Sequence, residues 1–354
     1  MKLQTPDPRR YPLGAADHEL ARFADPAALL NVLERGADAE LSAALRAAPS
    51  QPAYAKLWNA VCDAANHVNA QSGNAGVVAR VFALPLVMVT GSRRPASLPG
   101  VVPDIAAVQA LFEQHGALGP TRNFGFGNAL CSLDTIESIT PGEIYAWTRD
   151  AGATRRELPP SAITIPEPGE QVHLRFLIGA GIAPAAEPSF IETASNIGVW
   201  GMPLTRLLAA QLAQADVEVL PLARPPLDVL RAGQAGRFAQ LDTAFSLFMS
   251  NAVRRQRGAT GDPAVVISSH DDGDIRIGVN SQFDDTLADG FRWPLHPLDD
   301  MSRVLDAVSG LLAECRINNV QCAGQVLPAL DAQGKVWYAR ARDIGAAAAA
   351  PSRH

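Results

Sequence analysis

Lysine is almost missing from this chain. Only Lys2, Lys56 and Lys335 are present, so arginine carries nearly all of the positive charge. Schiff-base or phosphate-clamp chemistry would have to use one of those three. Lys56 falls in the middle of a helical pattern and Lys335 follows a turn glycine, so neither belongs to a phosphate loop. Cysteine is scarce too. Four residues without a CxxC pair exclude a disulfide scaffold and suit a reducing compartment. No HxxxH or HxH pair occurs, so a zinc site would need ligands gathered by the fold. Cations do not exceed anions: Lys+Arg is 30 against Asp+Glu 36, a net charge of −6, which argues against a nucleic-acid partner. Long apolar runs are also lacking. The most apolar stretch, Val77 to Val89, is broken by Arg80 and Pro85 and is too short to span a bilayer. Met1 to Gly14 holds charges and prolines but no apolar core, so neither a signal peptide nor a membrane partner is expected. The cytoplasm is the expected location.

What is present is ordinary for a globular protein: 354 residues, 47% hydrophobic and 19% charged. At this length one or two domains are expected and core size is not limiting. Gly 28 and Pro 27 cut the chain into short elements. From Pro52, apolar residues fall at Tyr54, Leu57, Trp58, Val61, Cys62, Ala65 and Val68, the i, i+3, i+4 spacing of an amphipathic helix. Lys56, Asp63 and His67 lie on its opposite face. Val77 to Thr90 reads as a buried strand in which Pro85 demands an edge, a bulge or a break. Asp104 caps a helix carrying Ile105, Val108, Leu111 and Phe112, stopped by Gly116. Thr140-Pro-Gly-Glu143 is a capping-box start. The prolines at 159, 160, 166 and 168 mark Leu158 to Gly169 as the linker. Residues 1–160 therefore read as a mainly helical region with one buried strand. Residues 166–344 read as an α+β region, a mixed sheet with helices packed on it. Residues 345–354 read as a disordered tail.

Within the second region, Gln171 to Ile178 and Val217 to Leu222 read as strands around a helix from Pro203 to Ala215, a βαβ-like unit. A long helix over Arg237 to Arg257 carries Phe238, Leu241, Phe245, Phe248 and Ala252 on one stripe. The most specific local pattern follows it. Val265 to Ser269 and Asp274 to Val279 are joined by Asp271-Asp272-Gly273. A three-residue loop with Gly273 left-handed sets Ile275 against Ser269, Ile277 against Ile267 and Val279 against Val265. Asp299 or Asp300 caps a helix whose Val304, Leu305, Val308, Leu311 and Leu312 make a continuous stripe. Val320 to Leu327 and Lys335 to Arg340 read as a final strand pair.

Two segments resemble nucleotide loops only in part. Leu177-Ile-Gly-Ala-Gly-Ile-Ala183 supplies two glycines after a strand, but Pro184 holds the third glycine's place and no helix N-terminus follows to receive a pyrophosphate. Val89-Thr90-Gly91-Ser92 runs into Arg93, Arg94 and Pro95 instead of a glycine-rich helix start. Cys62, Cys315 and Cys322 fall on apolar faces, and Cys131 is the one thiol whose surroundings are not fixed by pattern.

The candidate for chemistry is His270, Asp271, Asp272 and Asp274, with Asp284 and Asp285 ten residues on. Clustered carboxylates suit a hard divalent cation, yet aspartate and glycine are also what a hairpin turn demands. Asn123-Phe124-Gly125-Phe126-Gly127-Asn128 sets two aromatics in a glycine loop, either tucked into the core or offered to a protein partner or a second copy. The expected function is a non-catalytic binding or assembly protein without a cofactor. Its alternative is a metal-assisted hydrolase or phosphoryl-transfer enzyme, with the 270–274 hairpin holding a divalent metal.

Overall fold

The computed structural model describes residues 23, 25–66, 68–69, 77–90, 98–119, 121–150, 172–184, 197–212, 217–220, 227–259, 262–281 and 287–348. Among them are ten helices and two sheets, the α+β class the sequence predicts. No helix among the described residues is long and apolar enough to cross a membrane. The chain divides into two compact units, Leu13–Gln240 and Leu241–His354 together with Met1–Pro12.

The first unit contains α1 (Pro26–Glu34), α2 (Asp38–Arg46), α3 (Gln51–Asn66), β1 (Val68–Asn69), β2 (Val77–Thr90) and α4 (Ile105–His115). After these come β3 (Arg122–Ser132), α5 (Leu133–Glu137), α6 (Pro141–Asp150), β4 (Val172–Pro184), α7 (Ile197–Gln211), β5 (Val217–Leu220), β6 (Leu227–Asp228) and the start of α8 (Val229–Ala259). Strand β2 pairs antiparallel with β4 from Val77 opposite Pro184 to Val89 opposite Val172, and β3 pairs on the far side of β4. Short strands β1, β5 and β6 pair with β2. Opposite Pro85, β2 has no described partner on that second side, because β6 meets it at Phe82–Ala83 and β5 at Val87–Thr90. A residue without an N–H interrupts no ladder there.

Both β4 and β5 run antiparallel to β2 and so parallel to each other, with β2 between them. The βαβ-like unit is thus a crossover around a central strand. Residues Phe82, Leu84, Leu86 and Met88 of β2 pack with Val108 and Phe112 of α4 and with Trp200, Leu204 and Leu208 of α7. The alternate residues Ala79, Val81, Ala83 and Val87 are buried as well, and α3 and α6 also pack on this strand. Burial on both faces explains why β2 reads as a continuous apolar run.

Three expectations change here. The region of residues 1–160 has three strands instead of one, because Asn123–Asn128 extends within β3. The division falls at Gln240 and Leu241, not at the prolines of 158–169, which lie outside the described residues. Its physical reason is the long β2–β4 ladder, which ties residues on either side of the expected linker into one sheet. Residues 341–348 are helical, so only 349–354 of the expected tail lie outside the described residues.

The second unit holds the end of α8, then β7 (Ala264–His270), β8 (Asp274–Asn280), β9 (Leu287–Pro294), α9 (Met301–Glu314), β10 (Val320–Leu327) and α10 (Ala341–Ala348). The sheet order is β10-β7-β8-β9, with β10 parallel to β7 and the other pairs antiparallel. The β7–β8 hairpin has the predicted register, Ser269 against Ile275, Ile267 against Ile277 and Val265 against Val279, and Gly273 turns at φ 86°. Asp300 caps α9 by accepting from Ser302 N, and Val304, Val308 and Leu312 are its buried stripe. One face of the sheet carries Ile275, Ile277 and Trp293, and Phe245 of α8 packs edge-on to Trp293. The other face is covered by residues 328–344, where Ala339 packs with Val266, Ala323 and Leu327. The expected strand over Lys335 to Arg340 is absent; Leu330 and Val336 make one isolated bridge and no pairing with β10.

Candidate functional site

Strand alternation sets Ser268 and His270 of β7 beside Asp274 and Arg276 of β8 on the covered face, all four buried. The Arg276 guanidinium donates through Nη1 to the carbonyls of Trp337 (2.9 Å) and Ala329. Its Nη2 pairs with Asp272 and lies 3.8 Å from Asp274 Oδ2. Arg292 arrives on β9, its Nε on Asp274 and its Nη2 3.7 Å from Asp272. His270 Nδ1 lies 2.7 Å from the carbonyl of Pro328. A carbonyl only accepts, so Nδ1 carries the proton and Nε2 receives the Ser268 hydroxyl at 2.9 Å. Burial pushes the imidazole below its ordinary pKa, the Pro328 bond opposes this, and Arg276 adds to the depression. Asp271 donates its N–H to Leu327 O, and its Oδ1 accepts from Ala329 N, both at 2.9 Å.

The four expected metal ligands therefore meet other partners. Two arginines take the carboxylates of Asp272 and Asp274, a backbone amide takes Asp271, and a hydroxyl takes the free lone pair of His270. Among the described residues no three His, Cys, Asp or Glu side chains gather as metal ligands. Asp284 and Asp285 lie outside those residues. The cluster's visible work is to hold residues 328–337 onto the hairpin.

The glycines of β4 answer to packing. A Cβ on Gly179 would sit 2.5 Å from the Phe82 ring, and one on Gly181 would sit 2.5 Å from Thr121 Cγ2 and 2.8 Å from Phe124 Cβ. Aromatic and methyl groups lie directly on the strand at these points. The apparent dinucleotide glycines are thus clearance for side chains of β2 and β3.

Phe126 is buried, edge-on to Phe82 at 5.4 Å and to Phe112 at 5.0 Å. It cannot serve as a surface anchor. Phe124 is half-buried, 6.2 Å from Phe126, and forms one wall of a cavity of about 250 Å³. The cavity lies where α4 turns into β3. Gly116 ends α4 with φ 56°, donating to Glu113 O, and Ala117 donates to Phe112 O. Gly119 N then reaches Gly116 O, and Thr121 N reaches Leu118 O. These tight turns bring Phe112, Glu113, Leu118, Thr121 and Phe124 around one space. Glu113 is exposed, with Oε1 accepting from Gln109 at 3.0 Å. Thr121 is buried, and its hydroxyl has no hydrogen-bond partner among the described residues.

The thiols offer no nucleophile. Burial pushes Cys131 up to about 11, and burial with the Asp228 charge raises Cys62 further. Burial also raises Cys315 and Cys322, so the thiolate is disfavoured at each.

Sequence reasoning missed a polar group in the first unit. Buried Asp228 accepts from Arg231 N and Nη1, both at 2.9 Å, while Arg231 Nη2 reaches Asp63 at 2.8 Å and Asn59 at 3.2 Å. The signal was local, since an aspartate just before a helix is an N-cap. The expected Asp63–His67 pair cannot be placed, because His67 lies outside the described residues. No family model, curated protein sequence or solved structure matches this chain.

Proposed function

We propose that this chain is a binding protein whose recognition site is the cavity between the end of α4 and the start of β3. The space of about 250 Å³ beside half-buried Phe124, with exposed Glu113 at its edge, is the observation that carries this reading. In this reading Phe124 is a wall of the cavity instead of an anchor offered to a protein partner. At about 250 Å³ the space is smaller than the roughly 300–1,000 Å³ typical of drug-sized ligands, so the ligand is small. We further propose a cytoplasmic setting and a partner other than nucleic acid; the four free cysteines and the net charge of −6 support these.

The test is amide NMR of the full chain titrated with a library of small aromatic and aliphatic compounds. Shifts concentrated at Gly116, Gly119 and Thr121, lost in Phe124→Ala with its fold retained, are the expected result. A folded protein in which no compound moves those amides would refute the reading.

A further inference from the structure

We infer that residues 328–340 form a strap over the second sheet that opens on acidification, with His270 beneath it as the proton acceptor. The strap adds no strand to the sheet. Leu330 and Val336 make one bridge within it, and side chains of His270, Asp271 and Arg276 hold it to the β7–β8 hairpin. Strands β7 and β8, by contrast, are paired on both sides. His270 is fully buried, so movement of the strap is what admits water to it with least disruption.

The closed arrangement is built for a neutral imidazole. Nδ1 donates to Pro328 O of the strap and Nε2 accepts the Ser268 hydroxyl, so both ring nitrogens are committed. The charges facing the ring balance without it. Asp272 of the turn and Asp274 of β8 meet Arg276 of β8 and Arg292 of β9. Exposed Asp271 accepts from Ala329 N, and β10 carries no charged side chain. On the strap, Asp331 accepts from Gln333 N and Lys335 N in its own turn, Lys335 is exposed, and Arg340 pairs with Asp343. Burial raises the Tyr338 phenol, which stays neutral. A proton on Nε2 thus adds a third cation to two carboxylates in a covered site. The Ser268 hydroxyl must then turn to Arg276 O, 3.4 Å away. Opening the strap hydrates the imidazolium, so the proton favours the open form.

Native-state hydrogen exchange of the full chain, corrected for the intrinsic effect of pH, reads this opening. The amides of Ala329, Asp331 and Trp337 report on the strap, and those of β7 and β8 on the sheet. Between pH 6.5 and 5.5 strap opening should rise several-fold, with about tenfold as the ceiling for one proton, while the sheet amides hold. His270→Gln keeps a donor for Pro328 O without a basic nitrogen and should flatten the rise. Ser268→Ala leaves Nε2 without its donor and should move the rise to higher pH, which a packing role alone would not do. Strap exchange that is independent of pH, or that rises equally in His270→Gln, would overturn the inference. Should His270→Gln fail to fold, a rise left unshifted in Ser268→Ala would overturn it as well.

Discussion

Arg276 is buried on β8, and four groups depend on it: the carboxylates of Asp272 and Asp274 and the carbonyls of Ala329 and Trp337. Replacing it with methionine keeps most of the volume and removes every donor. Asp274, itself buried, then retains only Arg292, whose side chain is half exposed. Breaking one side of a buried ion pair typically costs about 3–5 kcal/mol, since the other charge stays desolvated. Trp337 O loses the Arg276 donor and Ala329 O keeps only Trp337 N at 3.1 Å, so the loss also loosens the segment that covers His270. In urea, with a slope near 1–3 kcal/mol per molar, the midpoint should fall by roughly 1–5 M. Proteolysis should open first between residues 328 and 340. Arg276→Met within about 1 kcal/mol of the parent, with unchanged cleavage, would refute the claim that this network holds the cover in place.

Acidification should weaken the fold, because burial depresses His270 and also His173, where Arg175 adds to the effect. Each then binds fewer protons folded than unfolded, so stability is full above the ordinary histidine value near 6.5 and falls as pH drops below it. Melting temperatures between pH 7.5 and 5.5 check this, and an unchanged slope in the His270→Gln, His173→Gln double variant would contradict it. Gly179→Ala should cost about 1–3 kcal/mol through overlap with Phe82, a loss that Phe82→Leu should partly relieve. Gly273→Ala meets open space but holds φ 86°, so about 1 kcal/mol is expected from backbone strain alone. Denaturant titrations compare them, and equal costs with no rescue by Phe82→Leu would overturn the packing account of Gly179.

The elements legible in the sequence are those specified by neighbouring residues. The β7–β8 register follows from period-two alternation and the turn glycine, both readable within fifteen residues. The α4 boundaries follow from Asp104, which accepts from Ala107 N, and from left-handed Gly116. On α9 the stripe was legible but its centre was not: Val304, Val308 and Leu312 are buried while Leu305 is only partly so. Periodicity gives a helix its face, and the neighbour packed against it decides which flank is deepest.

Tertiary structure decided the rest. The glycine-phenylalanine stretch becomes strand β3 because β4 offers it backbone partners and Gly181, which clears Thr121 and Phe124, none of them near in sequence. The acidic hairpin looks like a metal site until Arg292 comes in on β9 and the carbonyls of 328–337 close over Arg276. A carboxylate's type is written in the sequence, but its charge partner depends on which strand lies beside it. The cavity has the same origin. Glu113 lies in the last turn of α4, Thr121 just precedes β3, and two tight turns between them set how much space remains. By itself, therefore, the sequence determined the local turns, caps and periodic faces, which rest on short-range sterics and hydrogen bonds. Only long-range pairing decided which polar groups find partners, as the carboxylates of Asp272 and Asp274 find Arg276 and Arg292.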